Sequence, residues 1–258
     1  MNLELNGKKV LITGGSKGIG LACADAFRAE GAMVAICSRS AEHLEKAAAT
    51  RPGLHAIAAD LSDAAEAARA VADAEKALGA IDILVNSAGA ARRTAPDDLT
   101  PAFWRAAMDA KYFTYIHVID PVVKHMAAHG KGVIVNVIGV GGKVAMPSHI
   151  AGGAANAALM LATAGLGAVY APKGVRVVGV SPGLTETDRV AEGLVADAKL
   201  LNMSIEQARA ENIARLPLGR MASAEEIADT VLFVASDRGG YITGTTISVD
   251  GGLNPVVL

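Results

Sequence analysis

The chain has 258 residues, of which 52% are hydrophobic and 19% charged, and its formal net charge at pH 7 is −2. This composition excludes an intrinsically disordered chain, and the near-neutral charge argues against nucleic acid or an anionic membrane surface as a partner. The two cysteines, Cys23 and Cys37, are too few for a disulfide framework or a cysteine-based zinc site, so a reducing cytoplasm is the expected location.

Short runs rich in Val, Ile and Leu alternate along the chain with longer Ala-rich segments. The runs predict seven β-strands, at residues 10–12, 32–37, 54–58, 81–85, 132–138, 175–180 and 245–249. The longer segments predict helices at 19–30, 41–50, 63–78, around 101–129, 148–170 and 224–235, with an irregular, partly helical stretch up to residue 214. Because such alternation is typical of parallel sheets covered on both faces, we expect one α/β domain over residues 1–258 with a Rossmann-type, doubly wound, seven-stranded parallel sheet.

One segment, residues 144–172, has no charged side chain and is long enough to span a bilayer. It also contains Pro147, His149, Asn156 and several glycines. That mixture favours a helix buried at a protein interface over a lipid-facing one, so no membrane partner is expected.

A glycine-rich segment follows the first predicted strand directly and opens the first predicted helix. It reads Thr13-Gly14-Gly15-Ser16-Lys17-Gly18-Ile19-Gly20. Glycines at such a turn let a phosphate approach the free N–H groups of the helix N-terminus. The position between strand and helix therefore predicts a dinucleotide site, with a glycine turn that binds no ligand as the alternative.

Ser38 and Arg39 follow the second predicted strand, at the position where sites that prefer NAD usually place a carboxylate. Here the sequence offers two cations instead, Arg39 and, in the glycine-rich segment, Lys17. Cations suit a 2′-phosphate, so NADP(H) is favoured over NAD(H). Two solvated surface charges are the alternative.

Further motifs resemble those of the short-chain dehydrogenase/reductase family along the whole chain. Asp60-Leu61 resembles its adenine-contacting pair, residues 86–89 its Asn-Asn-Ala-Gly motif, and residues 181–187 the segment that holds the nicotinamide carboxamide. Residues 217–220 and 243–252 match its C-terminal signatures. The resemblance implies that the cofactor is bound by Gly14, Ser16, Lys17, Gly18, Ile19, Gly20, Ser38, Arg39, Asp60, Leu61, Asn86, Ala88, Gly89, Asn156, Pro182, Gly183, Leu184 and Thr187.

The usual catalytic residues of that family do not map onto this chain. They are a Tyr, a Lys four residues later, a Ser thirteen residues before the Tyr, and an Asn on the preceding long helix. None of the four tyrosines is followed by a lysine at that spacing. Matching the flanking residues places Gly139 at the Ser position, Gly152 at the Tyr, Asn156 at the Lys and Lys111 at the Asn, which predicts a degenerate active site.

Glycines at 139, 141, 142, 152 and 153 predict a widened cavity beside the expected nicotinamide. Ser148 and His149 precede Gly152 by about one helical turn, and Lys111 could project from the neighbouring helix. We therefore consider His149 and Lys111 as an acid/base pair, because imidazole titrates near neutral pH. The alternative is a helix-capping His149 and a solvated or interface Lys111. No histidine spacing indicates a metal site.

These observations favour an NADP(H)-dependent oxidoreductase with a non-standard acid/base, acting on a small or mid-sized organic substrate. A non-redox hydrolase, lyase or isomerase, and a non-catalytic NADP-binding subunit, are the alternatives. The resemblance also implies a substrate lid over about residues 187–220 and a homodimer or homotetramer.

Overall fold

The computed structural model describes residues 2–89 and 92–256. The strands are β1 (Lys9–Thr13), β2 (Met33–Ser38), β3 (His55–Ala58), β4 (Ile83–Asn86), β5 (Gly132–Val137), β6 (Val175–Pro182) and β7 (Thr246–Val249). The α-helices are α1 (Gly18–Ala29), α2 (Ala41–Ala49), α3 (Ala64–Leu78), α4 (Pro101–Met108), α5 (Thr114–Ala128), α6 (Ile150–Tyr170), α7 (Asp188–Leu201), α8 (Ile205–Ala214) and α9 (Ala224–Ala235).

All neighbouring strands pair in parallel, in the order β3-β2-β1-β4-β5-β6-β7. The chain winds outward in one direction from β1 to β3 and in the other from β4 to β7. The winding direction reverses between β1 and β4, and in open α/β sheets ligands bind beyond the carboxyl ends of the strands at that point. The predicted doubly wound, seven-stranded parallel sheet is confirmed.

Helices cover both faces of the sheet because alternate strand residues point to opposite sides. Ile12 packs on the face covered by α1, α2 and α9, where Phe27 is fully buried. Leu11 packs on the other face, which is covered by α3, α5 and α6. Since both faces are buried, the strands are apolar almost throughout, which is why they could be predicted from the sequence.

The long helix expected around residues 101–129 is interrupted. Thr100 caps its start by accepting a hydrogen bond from the Phe103 N–H (3.2 Å), and Pro101 occupies the first turn. Between α4 and α5 the backbone widens into a π-helical turn, Asp109–Phe113. Such turns are rare in proteins overall, but those that occur are often found at functional sites. This one carries Lys111.

Among the described residues, one helical stretch, Pro147–Lys173, is long and apolar enough to cross a membrane by length and composition alone. Its inner face, which includes Ala155, Leu159 and Thr163, is buried against the sheet. Its outer face exposes Leu161 (77%) and Val169 (63%). The helix is therefore part of the core on one side and has an apolar surface on the other.

Candidate functional site

A chain of buried polar side chains orders the carboxyl ends of the central strands. Thr13 Oγ1 donates to Asn86 Oδ1 (3.3 Å), Asn86 Nδ2 to Asn136 Oδ1 (3.0 Å), and Asn136 Nδ2 to Thr163 Oγ1 (3.0 Å). Thr13 Oγ1 also accepts from the N–H groups of Ser87 and Ala88 (both 3.2 Å). The Asn86 side chain is thus used inside the protein, where it joins β1 to β5.

The turn between β1 and α1 has the geometry of an anion cradle. Gly14 (φ +67°) and Gly18 (φ +55°) adopt left-handed backbone angles, and a Cβ atom on Gly14 would lie 2.8 Å from the Ala88 backbone. At Gly20 a side chain would meet the Gly14 carbonyl. Lys17 is the N-cap residue of α1, and its side chain makes no capping hydrogen bond. The Lys17 side chain therefore leaves the first N–H groups of α1 open to an anion.

Polar and charged groups lie at the outer end of this turn. Ser16 Oγ donates to Ser38 Oγ (3.0 Å), which joins the turn carrying Lys17 to the strand end carrying Arg39. Arg39 is exposed. Hydrogen bonds from Ser62 and, to a smaller degree, the Arg39 charge hold the pKa of Asp60 below its usual value.

The segment following β6 faces the glycine turn across the crevice. A Cβ atom on Gly18 would lie 3.4 Å from the Thr187 methyl group. Pro182, Gly183 and Leu184 precede Thr187 at the carboxyl end of β6, and Gly183 N–H donates to the Val249 carbonyl (3.0 Å). The structure therefore brings the predicted phosphate end and the predicted nicotinamide end of the cofactor site to the same crevice.

Three buried polar atoms near this crevice have no hydrogen-bond partner among the described residues: His149 Nδ1, Asn156 Oδ1 and Ser181 Oγ. Buried polar groups in folded proteins are nearly always paired. Unpaired atoms at the expected nicotinamide end are what a site for a polar ligand would present. The residues present therefore fit a bound dinucleotide.

The cavity expected beside Gly152 is filled. The imidazole of His149 lies against Gly152, and a Cβ atom at position 152 would be 2.7 Å from Nδ1 and closer still to Cε1 and Nε2. The sequence predicts an empty space here, whereas the structure shows it occupied, because the His149 imidazole folds back over the first turn of α6. His149 thus occupies the volume into which a side chain at position 152 would project.

The other glycines of this region allow close backbone packing or an unusual backbone angle. A Cβ atom on Gly142 would lie 2.9 Å from the Ala157 nitrogen, and one on Gly153 would lie 2.7 Å from the Gly141 carbonyl oxygen. The loop after β5 therefore packs directly on α6. Gly139 has φ +111°, a conformation strained for any other residue, and the Asn156 amide lies next to it.

Lys111 is buried and bonded to a tyrosine that the sequence analysis did not identify. Its ammonium donates to Tyr115 Oη (2.8 Å) and to the Val137 carbonyl (3.1 Å), and Tyr115 Oη donates to the same carbonyl (2.5 Å). Tyr115 is fully buried, so its hydroxyl is not presented to the crevice. The pair was missed because only the order Tyr-x-x-x-Lys was considered, whereas side chains four apart on a helix meet in either order.

The pKa values of both candidate catalytic residues are depressed. Burial, followed by the charges of Arg93, Lys111 and Arg189, lowers the pKa of His149 to about 4. Burial and the Arg189 charge lower the pKa of Lys111 to about 7. No hydrogen bond joins Lys111 to His149 among the described contacts, so Lys111 influences the imidazole through its charge.

A second group beside His149 was also not identified from the sequence. Arg93 Nη1 donates to Asp197 Oδ2 (2.6 Å), and Ser148 Oγ lies 3.4 Å from Asp197 Oδ1. The Thr94 N–H donates to the Ser148 carbonyl (3.0 Å). These contacts join the segment after β4, the start of α6 and helix α7, which lies within the predicted substrate lid. No local sequence pattern indicates them.

Within the described part of the chain, no cluster of three or more His, Cys, Asp or Glu side chains is placed to hold a metal ion. A cavity of about 660 Å³ is lined by residues that include Lys8, Asp82, Lys131 and Arg176. These residues lie at the amino ends of the strands, at the opposite edge of the sheet from the glycine turn. That cavity is therefore separate from the candidate cofactor site.

A family model, curated relatives and a solved structure all match this chain over nearly its whole length. Residues 14–254 match the family model described as enoyl-(acyl carrier protein) reductase. The chain is 32% identical to 2-(S)-hydroxypropyl-CoM dehydrogenase 3 of Xanthobacter autotrophicus, over 99% of this chain and 100% of that protein. It is 33% identical to the 3-oxoacyl-(acyl-carrier-protein) reductase FabG of Thermotoga maritima, over 97% and 99%. The crystal structure of gox2181 superposes with a TM-score of 0.89 at 27% identity, covering 98% of this chain and 97% of that one.

Proposed function

The chain belongs to the short-chain dehydrogenase/reductase family, and on that basis we propose that it is an NADP(H)-dependent oxidoreductase in which His149 transfers the proton. The relatives named above are dehydrogenases and reductases, which favours this function over the non-redox and non-catalytic alternatives. The observation that carries the proposal is the position of the His149 imidazole against Gly152. A titratable group there takes the place of the phenol that the family normally uses.

The preference for NADP(H) is supported by charge. Lys17 and Arg39 are exposed cations on two segments that the Ser16–Ser38 hydrogen bond holds together. Among the described ion pairs, Lys17 has a long contact with Asp188, 4.0 Å between largely exposed side chains, so its charge is available to a ligand. A 2′-phosphate would be bound by these two cations, whereas a free ribose would leave them unused.

The proposed cofactor contacts follow from the described geometry. The N–H groups at the start of α1 would hold the pyrophosphate, and Asn156 Oδ1 and Ser181 Oγ would gain the partners that they lack. When bound, the nicotinamide supplies or accepts a hydride. The protein must then accept a proton from the substrate hydroxyl or donate one to the carbonyl oxygen.

His149 is in the form that a general base needs at neutral pH. With a pKa near 4 its imidazole is neutral at pH 7, so it can take the proton of a substrate alcohol as the hydride leaves. In the reverse direction the imidazolium would return that proton to the carbonyl oxygen. The low pKa keeps the base form dominant, and it also makes this imidazole a weaker proton acceptor than a solvent-exposed histidine.

Lys111 is a positioning residue in this proposal. Together with Tyr115 it holds the carbonyl of Val137 at the end of β5, two residues before Gly139. Its charge also opposes protonation of His149. Lys111→Met is therefore expected to raise the pKa of His149, which would appear as an upward shift of the acidic limb of the pH–rate profile.

The test is a screen of secondary alcohols and ketones with NADP⁺ or NADPH, followed at the nicotinamide absorbance. His149→Gln should lower kcat at least about tenfold, because positioned proton transfer contributes about 10²–10⁴ in rate, while leaving the Kd for NADPH unchanged. His55→Gln, an exposed histidine on the edge strand β3, is the matched control and should have no effect. Unchanged turnover in His149→Gln would overturn the assignment.

Self-association and a cytoplasmic location complete the proposal. Leu161 and Val169 on α6 and Phe113 in the π-helical turn are exposed apolar side chains. Burial of such side chains in a homodimer or homotetramer would remove them from water. Light scattering on the purified protein tests this, and a monomeric mass would contradict it.

A further inference from the structure

A carboxylate from the lid lies in a polar niche next to His149. The niche consists of the Arg93 guanidinium, 2.6 Å from Asp197 Oδ2, and the Ser148 hydroxyl, 3.4 Å from Asp197 Oδ1. The hydrogen bond from Thr94 N–H to the Ser148 carbonyl (3.0 Å) links the two segments that carry them. Only the carboxylate comes from α7, so the niche is formed by segments that lie outside the lid.

The ion pair keeps access to solvent. The side chains of Arg93 and Asp197 are 26% and 16% exposed. α7 approaches the guanidinium through Gly193, one turn before Asp197, where a Cβ atom would lie 3.1 Å from Arg93 Cζ. A substrate carboxylate would give Arg93 the same ion pair that Asp197 gives it, so the guanidinium stays paired when the two are exchanged, and the partly exposed Asp197 side chain can turn towards water.

Three positively charged side chains influence the His149 imidazole, which is the proposed proton-transfer group. The charges of Arg93, Lys111 and Arg189 all lower the pKa of the His149 imidazole. Asp197 is the carboxylate that the described contacts place on Arg93. A ligand that takes the place of Asp197 on Arg93 must therefore carry a negative charge of its own, because a neutral ligand would leave the guanidinium unpaired. A guanidinium also matches a carboxylate better than any other common organic group, because it can donate two parallel hydrogen bonds.

We propose that the substrate carries a carboxylate, which replaces Asp197 on Arg93 and Ser148 and so places the carbon bearing its hydroxyl or oxo group beside His149. The reaction at that carbon rests on the proposed function, whereas the carboxylate niche does not depend on hydride transfer. Because Ser148 and His149 are consecutive residues, both groups belong to one small hydroxy acid or oxo acid. Asp197 then acts as an internal competitor that occupies the niche until the substrate arrives.

The test compares binding of 3-hydroxybutyrate and its neutral amide to the full chain by calorimetry, with and without NADP⁺. Wild type should bind the acid about tenfold more tightly than the amide, and Arg93→Leu should abolish that difference. Asp197→Asn should tighten binding of the acid several-fold because the competitor has lost its charge. Ser148→Ala should weaken it.

Glu211→Gln is the matched control, because it removes one exposed carboxylate from the neighbouring helix α8 and should change neither affinity. Circular dichroism confirms the fold of each variant. If Asp197→Asn proves unstable, Arg93→Lys and Ser148→Ala still decide the question, since each must reduce the preference for the acid. Equal binding of acid and amide to wild type, or an unchanged preference in these variants, would overturn the proposal.

The two proposals fail in different ways. Acid-selective binding without any change at the nicotinamide absorbance would retain the carboxylate niche and remove the proposed function. Turnover at equal rates for matched acidic and neutral alcohols would retain the oxidoreductase and remove the niche.

Discussion

The imidazole of His149 occupies the space into which a Cβ atom on Gly152 would project, so that position 152 has no room for a side chain while the imidazole stays where it is. Gly152→Ala should therefore displace His149 and lower turnover at least about tenfold, since proton transfer depends on placement. NADPH affinity should be unaffected.

Gly165→Ala is the control for that experiment. It lies on the same helix, on the face that carries Leu161 and Val169, and a Cβ atom there would meet nothing within 4 Å of the single chain. Replacing this glycine should leave turnover unchanged provided that light scattering gives the variant the same mass as wild type. Equal activity of the two variants would show that the contact between His149 and Gly152 has no role in catalysis.

The pH dependence should show the depressed pKa of His149. Because the neutral imidazole is the active base, kcat/KM for alcohol oxidation should stay constant as the pH falls to about 5 and decrease only towards the pKa of about 4. Below the ordinary value of 6.5 the unfolded chain binds a proton at this residue and the folded chain does not. Acidification from pH 6.5 to 4 should thus destabilise wild type more than His149→Gln, which melting temperatures at several pH values can measure.

Lys111 should reduce stability at neutral pH. Its pKa falls from 10.5 to about 7 on folding, so the unfolded state binds the extra proton between those values and stability rises with pH across that window. Lys111→Met removes the cost of burying the ammonium and leaves Tyr115 bonded to Val137. We expect it to be more stable than wild type at pH 7 by about 1–4 kcal/mol, after allowing for the lost hydrogen bonds.

Urea denaturation at pH 7 and at pH 9 measures this difference, which should shrink at the higher pH. A Lys111→Met variant that is less stable than wild type at both pH values would mean that Lys111 stabilises the fold. In that case its burial would need no functional explanation.

Arg39 should discriminate between the two nicotinamide cofactors. Arg39→Leu removes a charge that would contact the 2′-phosphate, so the Kd for NADPH should rise about tenfold while that for NADH stays the same. Arg105→Leu, which removes an exposed arginine from α4, should alter neither value. Equal loss of affinity for both cofactors would place Arg39 elsewhere in the site.

The sheet was predictable because its strands are buried on both faces and so consist of runs of Val, Ile and Leu. The glycine turn was predictable because its backbone angles, as at Gly14 and Gly18, are ones that glycine adopts readily. The π-helical turn at Asp109–Phe113 was not, because one extra residue within a long helix hardly disturbs the apolar periodicity.

Side-chain direction explains what the sequence analysis missed at the site. The glycines around Gly152 indicated empty space, and only the structure shows that the rotamer of His149 fills it. The pairing of Arg93 with Asp197 joins residues 104 positions apart, and neither residue has a neighbouring motif that indicates the other. Contacts of this kind arise from the tertiary fold and leave no local periodicity.

The left-handed backbone at Gly139 limits how this scaffold could be re-engineered. Introducing serine there would require a hydroxyl-bearing residue to adopt a backbone angle of +111°, which side chains rarely tolerate. Grafting the four usual family side chains one by one would therefore fail at this position whatever was done elsewhere. A successful graft would have to exchange the whole loop from 139 to 142 as one segment, so that the main chain is rerouted together with the side chains that it carries.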